Sequence, residues 1–193
     1  MDIRAIDLCK AFNGHIVFNN LTVAFPYGKR TVIMGDSGCG KTTLLRILMK
    51  LETPDSGYVT GIPEPIGAVF QEDRLLEKFN VISNIAFAAD KGISKAVILR
   101  HLSEIGLRDN ARQSVSELSG GMRRRVAITR AILARKELLL LDEPLKGLDE
   151  QNRERTAAYI KRYSEDITTI IVTHDLGDVS LFAAELVRME TQT

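Results

Sequence analysis

The sequence predicts an α/β protein. Segments of strand and helix character alternate along most of the chain. Leu138-Leu139-Leu140-Leu141 is a continuous apolar run, which suits a parallel strand buried on both faces. A glycine-rich loop also joins a short apolar strand to a helix with one apolar side.

The elements follow in order. Ile3 to Leu8 and Leu21 to Phe25 alternate apolar and polar residues and read as strands, the second closed by the Pro26-Tyr27-Gly28 turn. Thr31 to Met34 is a short apolar strand. Past the glycine loop, Leu44, Leu45, Ile47, Leu48 and Leu51 recur at helical spacing, and Pro54 ends that pattern. Ile66 to Phe70 is another short strand. Val81 to Ser116 reads as helical, with apolar residues at 97, 98, 102 and 105 and Gly106 as a C-terminal cap. A second helix starts after Ser119. Its basic run Arg123-Arg124-Arg125 reads as an exposed helix start with salt-bridge partners. Gln151 to Ser164 is helical and polar, hence expected on the surface. Ile167 to Thr173 is a β-branched strand, and a last helix covers about Leu176 to Ala184.

Composition narrows the function classes. The 193 residues suit one domain with its own core. Lys and Arg number 26 against 25 Asp and Glu, a net charge of +1, which argues against a nucleic-acid binder working by broad electrostatics. Cys9 and Cys39 make no disulfide framework and point to a reducing compartment. No apolar run reaches the roughly 18 residues of a membrane span, and the N-terminus lacks the apolar core of a signal peptide. The expected location is therefore the cytoplasm, unless another protein holds the chain at a membrane.

Gly35-Asp36-Ser37-Gly38-Cys39-Gly40-Lys41-Thr42 matches G-x-x-x-x-G-K-[ST] at every fixed position, between a strand and a helix. Glycines let the backbone turn its N–H groups onto phosphate oxygens, and the helix N-terminus adds its positive end. Lys41 supplies a cation for the β- and γ-phosphates, and the Thr42 hydroxyl can ligate Mg²⁺. Cys39, in a variable position, reads as a space-filler rather than a redox group. The four leucines run straight into Asp142-Glu143, which puts two carboxylates at the C-terminal edge of a buried strand, where α/β proteins bind ligands. Asp142 fits a metal-associated carboxylate, and Glu143 a base that polarises water. Taken alone, the pair could also be a solvated acidic turn. His174 repeats the placement after Ile170 to Thr173, and on that ground alone is as readily a satisfied turn residue.

Leu118-Ser119-Gly120-Gly121-Met122 resembles LSGGQ, the signature of the ATP-binding cassette (ABC) family, and the resemblance covers nearly the whole chain. Further motifs stand in the family's order. Phe12 resembles the aromatic residue that stacks on adenine, Gln71 the Q-loop glutamine, Asp142 and Glu143 the Walker B aspartate and catalytic glutamate. Gly147-Leu148-Asp149 resembles the D-loop, and Thr173-His174-Asp175 the switch histidine. Met122 stands in place of Gln, Arg124 where Gln is frequent, and Leu145-Lys146 where Thr-Ser or Phe-Gly is common. The stretch from Gly57 to Ile66 is shorter than the family's β-rich segment.

The resemblance implies a P-loop NTPase (RecA-like) core over 1–75 and 120–193, a trimmed antiparallel β-subdomain and a helical subdomain inserted at about 76–119. It implies ATP on Phe12, Gly35 to Thr42 and Thr43, with Mg²⁺ on Thr42, Gln71 and Asp142. Glu143, His174 and Gln71 are the implied catalytic group. Ser119, Gly120, Gly121, Met122 and the D-loop Asp149 are implied to face the ATP of a second subunit, so two chains close head to tail around two ATP molecules. The expected function is the ATPase subunit of a transporter, most like the importers of nitrate, sulfonates and taurine. Separate membrane permease subunits, a second ATPase subunit (identical or similar) and a solute-binding protein are its expected partners, with no nucleic acid. It would lie on the inner face of the cell membrane. Leu75, Leu76 and Phe79 are expected near the permease-facing groove or in the core. The competing readings are an exporter or lipoprotein-release ATPase, and a soluble ABC-type ATPase not tied to transport.

Overall fold

The computed structural model describes residues 1–190, so the last three residues of the expected second core segment lie outside the described part. Its centre is a five-stranded parallel sheet in the order β5-β6-β7-β3-β8. The strands are β3 (Arg30–Met34), β5 (Ile66–Val69), β6 (Leu138–Asp142), β7 (Thr168–Val172) and β8 (Glu185–Arg188). A second, antiparallel sheet has the order β2-β1-β4, from β1 (Ile3–Phe12), β2 (His15–Phe25) and β4 (Ser56–Thr60). The helices are α1 (Lys41–Leu48), α2 (Val81–Ala86), α3 (Lys95–Glu104), α4 (Gly120–Leu133), α5 (Glu150–Tyr163) and α6 (Gly177–Phe182). A 3-10 turn at Val115–Glu117 precedes α4.

The parallel sheet is covered on both faces, and side-chain alternation shows how. Leu139 and Leu141 belong to one core with α2 to α5, while Leu138 and Leu140 belong to the other with α1 and the antiparallel sheet. Ile171 and Ile170 divide in the same way along β7, as do Val32 and Ile33 along β3. This is why Leu138 to Leu141 shows no polar alternation: every position meets apolar atoms. Each fully buried leucine contributes about 1.5–3 kcal/mol in removed apolar surface.

Several expectations shift in extent. β1 and β2 run 10 and 11 residues, well beyond the alternating cores read from the sequence. β4 adds a third antiparallel strand on the other edge of β1. α1 ends at Leu48, and Leu51 is 53% exposed rather than part of its apolar face. α5 is not simply a surface helix, because it buries Thr156, Ala157, Tyr159 and Ile160. Gly106 does follow the end of α3 with φ +70°.

The basic run at the head of α4 requires a correction. Arg124 and Arg125 are buried, not exposed. Arg125 gives Nη1 to the Ile105 carbonyl at 2.8 Å and so ties α4 to the end of α3. The guanidinium is spent on backbone carbonyls inside the fold, which a charge pattern alone does not reveal.

α3 and α5 meet through a buried polar contact. His101, 3% exposed, lies with Nδ1 2.8 Å from the Tyr159 hydroxyl, and the Tyr163 hydroxyl donates to Glu104 at 2.7 Å. Burial holds the His101 imidazole below its ordinary pKa, against the opposing pull of Glu104. The folded chain therefore binds this proton less readily than the unfolded chain. Its contribution to stability is present above the ordinary histidine value of 6.5 and is lost as pH falls through the lowered folded value. We expect the melting temperature of the unliganded protein to fall between pH 7.5 and 5, and His101→Gln to make that fall smaller. Thermal unfolding across that range checks it; an identical pH dependence in the variant would contradict it.

Candidate functional site

The carboxyl ends of β3, β5, β6 and β7 meet at one edge of the parallel sheet, and the candidate site lies there. It is a cleft of about 370 Å³. Gly35, Ser37, Gly38, Gly40, Lys41, Thr42, Thr43, Gln71, Asp142, Glu143 and His174 line it, together with Val17, Lys146 and Val172. The structure thus gathers residues more than 130 positions apart in sequence around one space.

The loop between β3 and α1 is set by Gly40, which caps α1 at φ +94°. The N–H groups of the first turn of α1 have no helical partners and form a donor-rich surface. Lys41 gives its ammonium to the Gly35 carbonyl at 2.7 Å and to the Asp36 carbonyl at 2.8 Å. Cys39 is buried at 1% exposure beneath the loop, consistent with a packing role.

The Thr42 hydroxyl donates to Asp142 Oδ2 at 3.0 Å. Asp142 is 5% exposed, and burial raises its carboxyl above the usual carboxylate range, opposed by the Thr42 hydrogen bond. Glu143 has φ +53°, in the left-handed region, and its N–H is held by the Val172 carbonyl at 2.9 Å. Such a backbone costs about 1–3 kcal/mol and persists where surrounding structure imposes it. Its Oε1 lies 2.8 Å from His174 Nδ1. The loop carrying His174 is fixed by Arg153 of α5, which bonds Asp175 and Asp178 at 2.7 Å each, and by the Thr173 hydroxyl donating to Asp178 at 2.6 Å.

Two arginines of α4 hold the segment that carries Gln71. Arg124 donates to the Phe70 and Gln71 carbonyls at 2.5 and 2.7 Å and pairs with Asp73 at 3.1 Å. Arg130 donates to the Asp73 and Arg74 carbonyls at 3.0 and 2.8 Å. Asn84, 1% exposed, satisfies the Leu76, Phe79 and Asn80 carbonyls and the Leu76 N–H downstream. The sequence places Arg124 only in an exposed basic run, and it singles out neither Arg130 nor Asn84. The available signal was the mismatch between three charges and an otherwise apolar helix face at 124 to 132.

Other expected residues lie elsewhere. Phe12 sits at the end of the β1–β2 hairpin, 42% exposed, with Lys10 Nζ 4.8 Å from its ring centre, and it does not line the cleft. Asp36 lines an adjoining depression with Arg188 and Glu190. Ser119, Gly120, Gly121 and Asp149 line a separate cleft of about 510 Å³, which Met122 does not line. Ser119 caps α4, accepting from the Met122 N–H at 3.3 Å, and Asp149 caps α5, accepting from the Asn152 N–H at 2.9 Å. Leu76 and Phe79 are exposed at 41% and 54%, whereas Leu75 packs partly against the core.

A strand–glycine loop–helix unit opposite an acidic strand end, on a sheet covered on both faces, defines a P-loop nucleotide-binding protein. Residues 18–146 match the family described as ABC transporter. The aliphatic sulfonates import ATP-binding protein SsuB 2 of Pseudomonas syringae pv. tomato is 38% identical over 97% of this chain and 80% of its own length. The sulfate/thiosulfate import ATP-binding protein CysA of Vibrio vulnificus is 33% identical over 98% of this chain, which spans 61% of that relative. A solved dimeric bacterial ABC transporter cassette superposes with a TM-score of 0.84 at 26% identity, covering 98% of this chain and 94% of that one. The chain belongs to the ABC transporter family and is an ATPase cassette of that family.

Proposed function

We propose that this chain powers solute import by binding and hydrolysing ATP beneath a separate membrane permease. The observation that carries this reading is the Thr42–Asp142 contact at 3.0 Å, inside a cleft that also holds Lys41, Glu143 and His174. The import-type relatives favour uptake over export. No helix of the described residues is long and apolar enough to cross a membrane, so transport needs a partner that does. In this reading the chain sits at the cytoplasmic face of that permease, with a solute-binding protein as a further component.

The polyphosphate lies on the loop from Gly35 to Thr43, with Lys41 as its cation. Phe12 contributes from the hairpin end on the adenine side. Mg²⁺ fits the oxygen donors present, the Thr42 hydroxyl, the Asp142 carboxylate and the Gln71 amide. Among the described residues no group of three or more His, Cys, Asp or Glu side chains forms a metal cage, so these donors need phosphate oxygens beside them. Bound there, the ion neutralises charge on the phosphate oxygens.

Glu143 takes a proton from water, whose oxygen bonds the γ-phosphorus while the bond to the β–γ bridging oxygen breaks and its electron pair leaves with ADP. His174 Nδ1 holds the Glu143 side chain, donating to the carboxylate when the ring hydrogen is on Nδ1 and accepting from the protonated carboxyl when it is on Nε2. Its Nε2 is left for the γ-phosphate and donates in the tautomer that carries hydrogen there. In that tautomer Nδ1 accepts from Glu143 once the carboxylate has taken the water's proton. Ser119, Gly120, Gly121 and Met122 start α4 and present a helix N-terminus to the nucleotide of the opposite subunit, with Asp149 at the same interface. The signature and the phosphate loop line different clefts of one chain, which supports a two-chain site. The domain division into 1–75 with 120–193 and a helical part at about 76–119 belongs to the same proposal.

The test is Mg²⁺-dependent phosphate release by the purified chain, followed by affinity recovery from membranes. Phosphate release and recovery with a polytopic membrane protein are expected. Activity with recovery on ribosomes would contradict transport.

A further inference from the structure

We propose that Lys146 is a second nucleotide-binding lysine, which recognises the terminal phosphate of ATP. The inference rests on the nucleotide site proposed above and adds a residue to it. Among the described residues, Lys146 is the one that lines both the phosphate-loop cleft and the signature cleft.

Its position is fixed by two successive turns. The Lys146 N–H bonds the Glu143 carbonyl at 3.2 Å, and the Leu148 N–H bonds the Leu145 carbonyl at 3.3 Å. Leu145 is buried at 2% exposure and anchors the segment, while Asp149 closes it by capping α5. Lys146 itself is exposed. Among the described residues no carboxylate lies within ion-pair distance of its ammonium, although Glu143 and Asp149 are three positions away on either side. A cation held at the mouth of an anion-binding cleft without a carboxylate partner can take a phosphate as its counter-ion.

The geometry also selects which phosphate. Lys41 belongs to the loop that wraps the polyphosphate, and its ammonium lies among that loop's carbonyls. Lys146 belongs to the segment leaving β6, beside Glu143. In-line attack requires the terminal phosphate to face the carboxylate that activates water, so the cation on that segment meets the γ-phosphate. The cleft otherwise sets two carboxylates, Asp142 and Glu143, against the charge of a triphosphate, and a second lysine offsets that repulsion.

The test compares equilibrium binding of ATP and ADP, both with Mg²⁺, to the purified chain and to Lys146→Ala, Lys146→Arg and Lys41→Ala. Lys146→Ala is expected to weaken ATP about tenfold and ADP less than about twofold, as loss of one charge-assisted contact to the γ-phosphate requires. Lys146→Arg should restore ATP affinity. Equal weakening of both nucleotides, or no weakening, would overturn the proposal while leaving the site itself standing. The site is judged separately by Lys41→Ala, which should lose both nucleotides. An unaltered chain that binds neither would sink both readings. The side chain is exposed, so thermal unfolding of the Lys146 variants should match the parent and exclude misfolding.

Discussion

Glu143→Gln is expected to lower ATP hydrolysis by at least about a hundredfold while leaving ATP affinity nearly unchanged. The glutamine keeps the size of the side chain and can still bond His174 Nδ1, now 2.8 Å from Glu143 Oε1, but it cannot accept a proton from water. The Thr42–Asp142 contact and the phosphate loop do not involve Glu143, so the groups proposed to hold the nucleotide remain. The backbone at position 143 keeps its φ of +53° with either side chain, so the strain is the same in both proteins. Phosphate release measured beside equilibrium ATP binding separates the two effects. A variant hydrolysing at the parental rate would remove Glu143 from the mechanism. A variant that lost ATP affinity to the same extent as hydrolysis would make it a structural residue instead.

Gly40→Ala is expected to destroy nucleotide binding and to destabilise the fold by about 2–5 kcal/mol. Two costs coincide. The residue has φ +94°, a conformation that an L-residue with a Cβ rarely adopts. The new Cβ would also lie 2.5 Å from Val17 Cγ1 and 2.8 Å from the Phe18 ring, and Phe18 is buried in the core beneath the loop. Relief requires Val17 and the buried Phe18 ring to shift or the loop to move away from β2, and the second turns the first N–H groups of α1 off the phosphate position. Chemical denaturation gives the stability loss, and ATP binding gives the functional loss. Gly38→Ala is the contrast: φ is +87° but nothing lies within 4 Å of the new Cβ, so backbone strain acts there without the clash, and a smaller loss is expected. Equal effects at the two positions would contradict the packing argument.

What could be read from the sequence depended on whether a residue's chemistry was local. The phosphate loop, the acidic end of β6 and the histidine after β7 were legible because each is a short motif attached to an apolar strand. Leu138 to Leu141 announced a strand buried on both faces for the same reason. Arg124 and Arg125 were misread because their partners lie far away, on the Phe70, Gln71 and Ile105 carbonyls. A basic triplet has the same composition whether its guanidinium groups face water or backbone. α5 was read as a surface helix because its polar residues outnumber the few that it buries, while Tyr159 takes its hydroxyl inward to His101. β8 escaped notice for a different reason: its four residues include Glu185 and Arg188, and it pairs at the sheet edge, where alternation with core residues is weak. The two-chain arrangement proposed above comes from the family resemblance alone, since no spacing within one chain points to a second chain.

In the proposed two-chain site, the signature residues of one chain meet the phosphate loop of another, because the two line different clefts of a single chain. Sedimentation of the Glu143→Gln chain with and without Mg²⁺ and ATP tests it most directly. We expect a 21.4 kDa species without nucleotide or with ADP, and doubling of that mass with ATP, reversed by Ser119→Arg at the head of α4. A chain that binds ATP and keeps its monomer mass, or a dimer that forms equally well without ATP and survives Ser119→Arg, would contradict it.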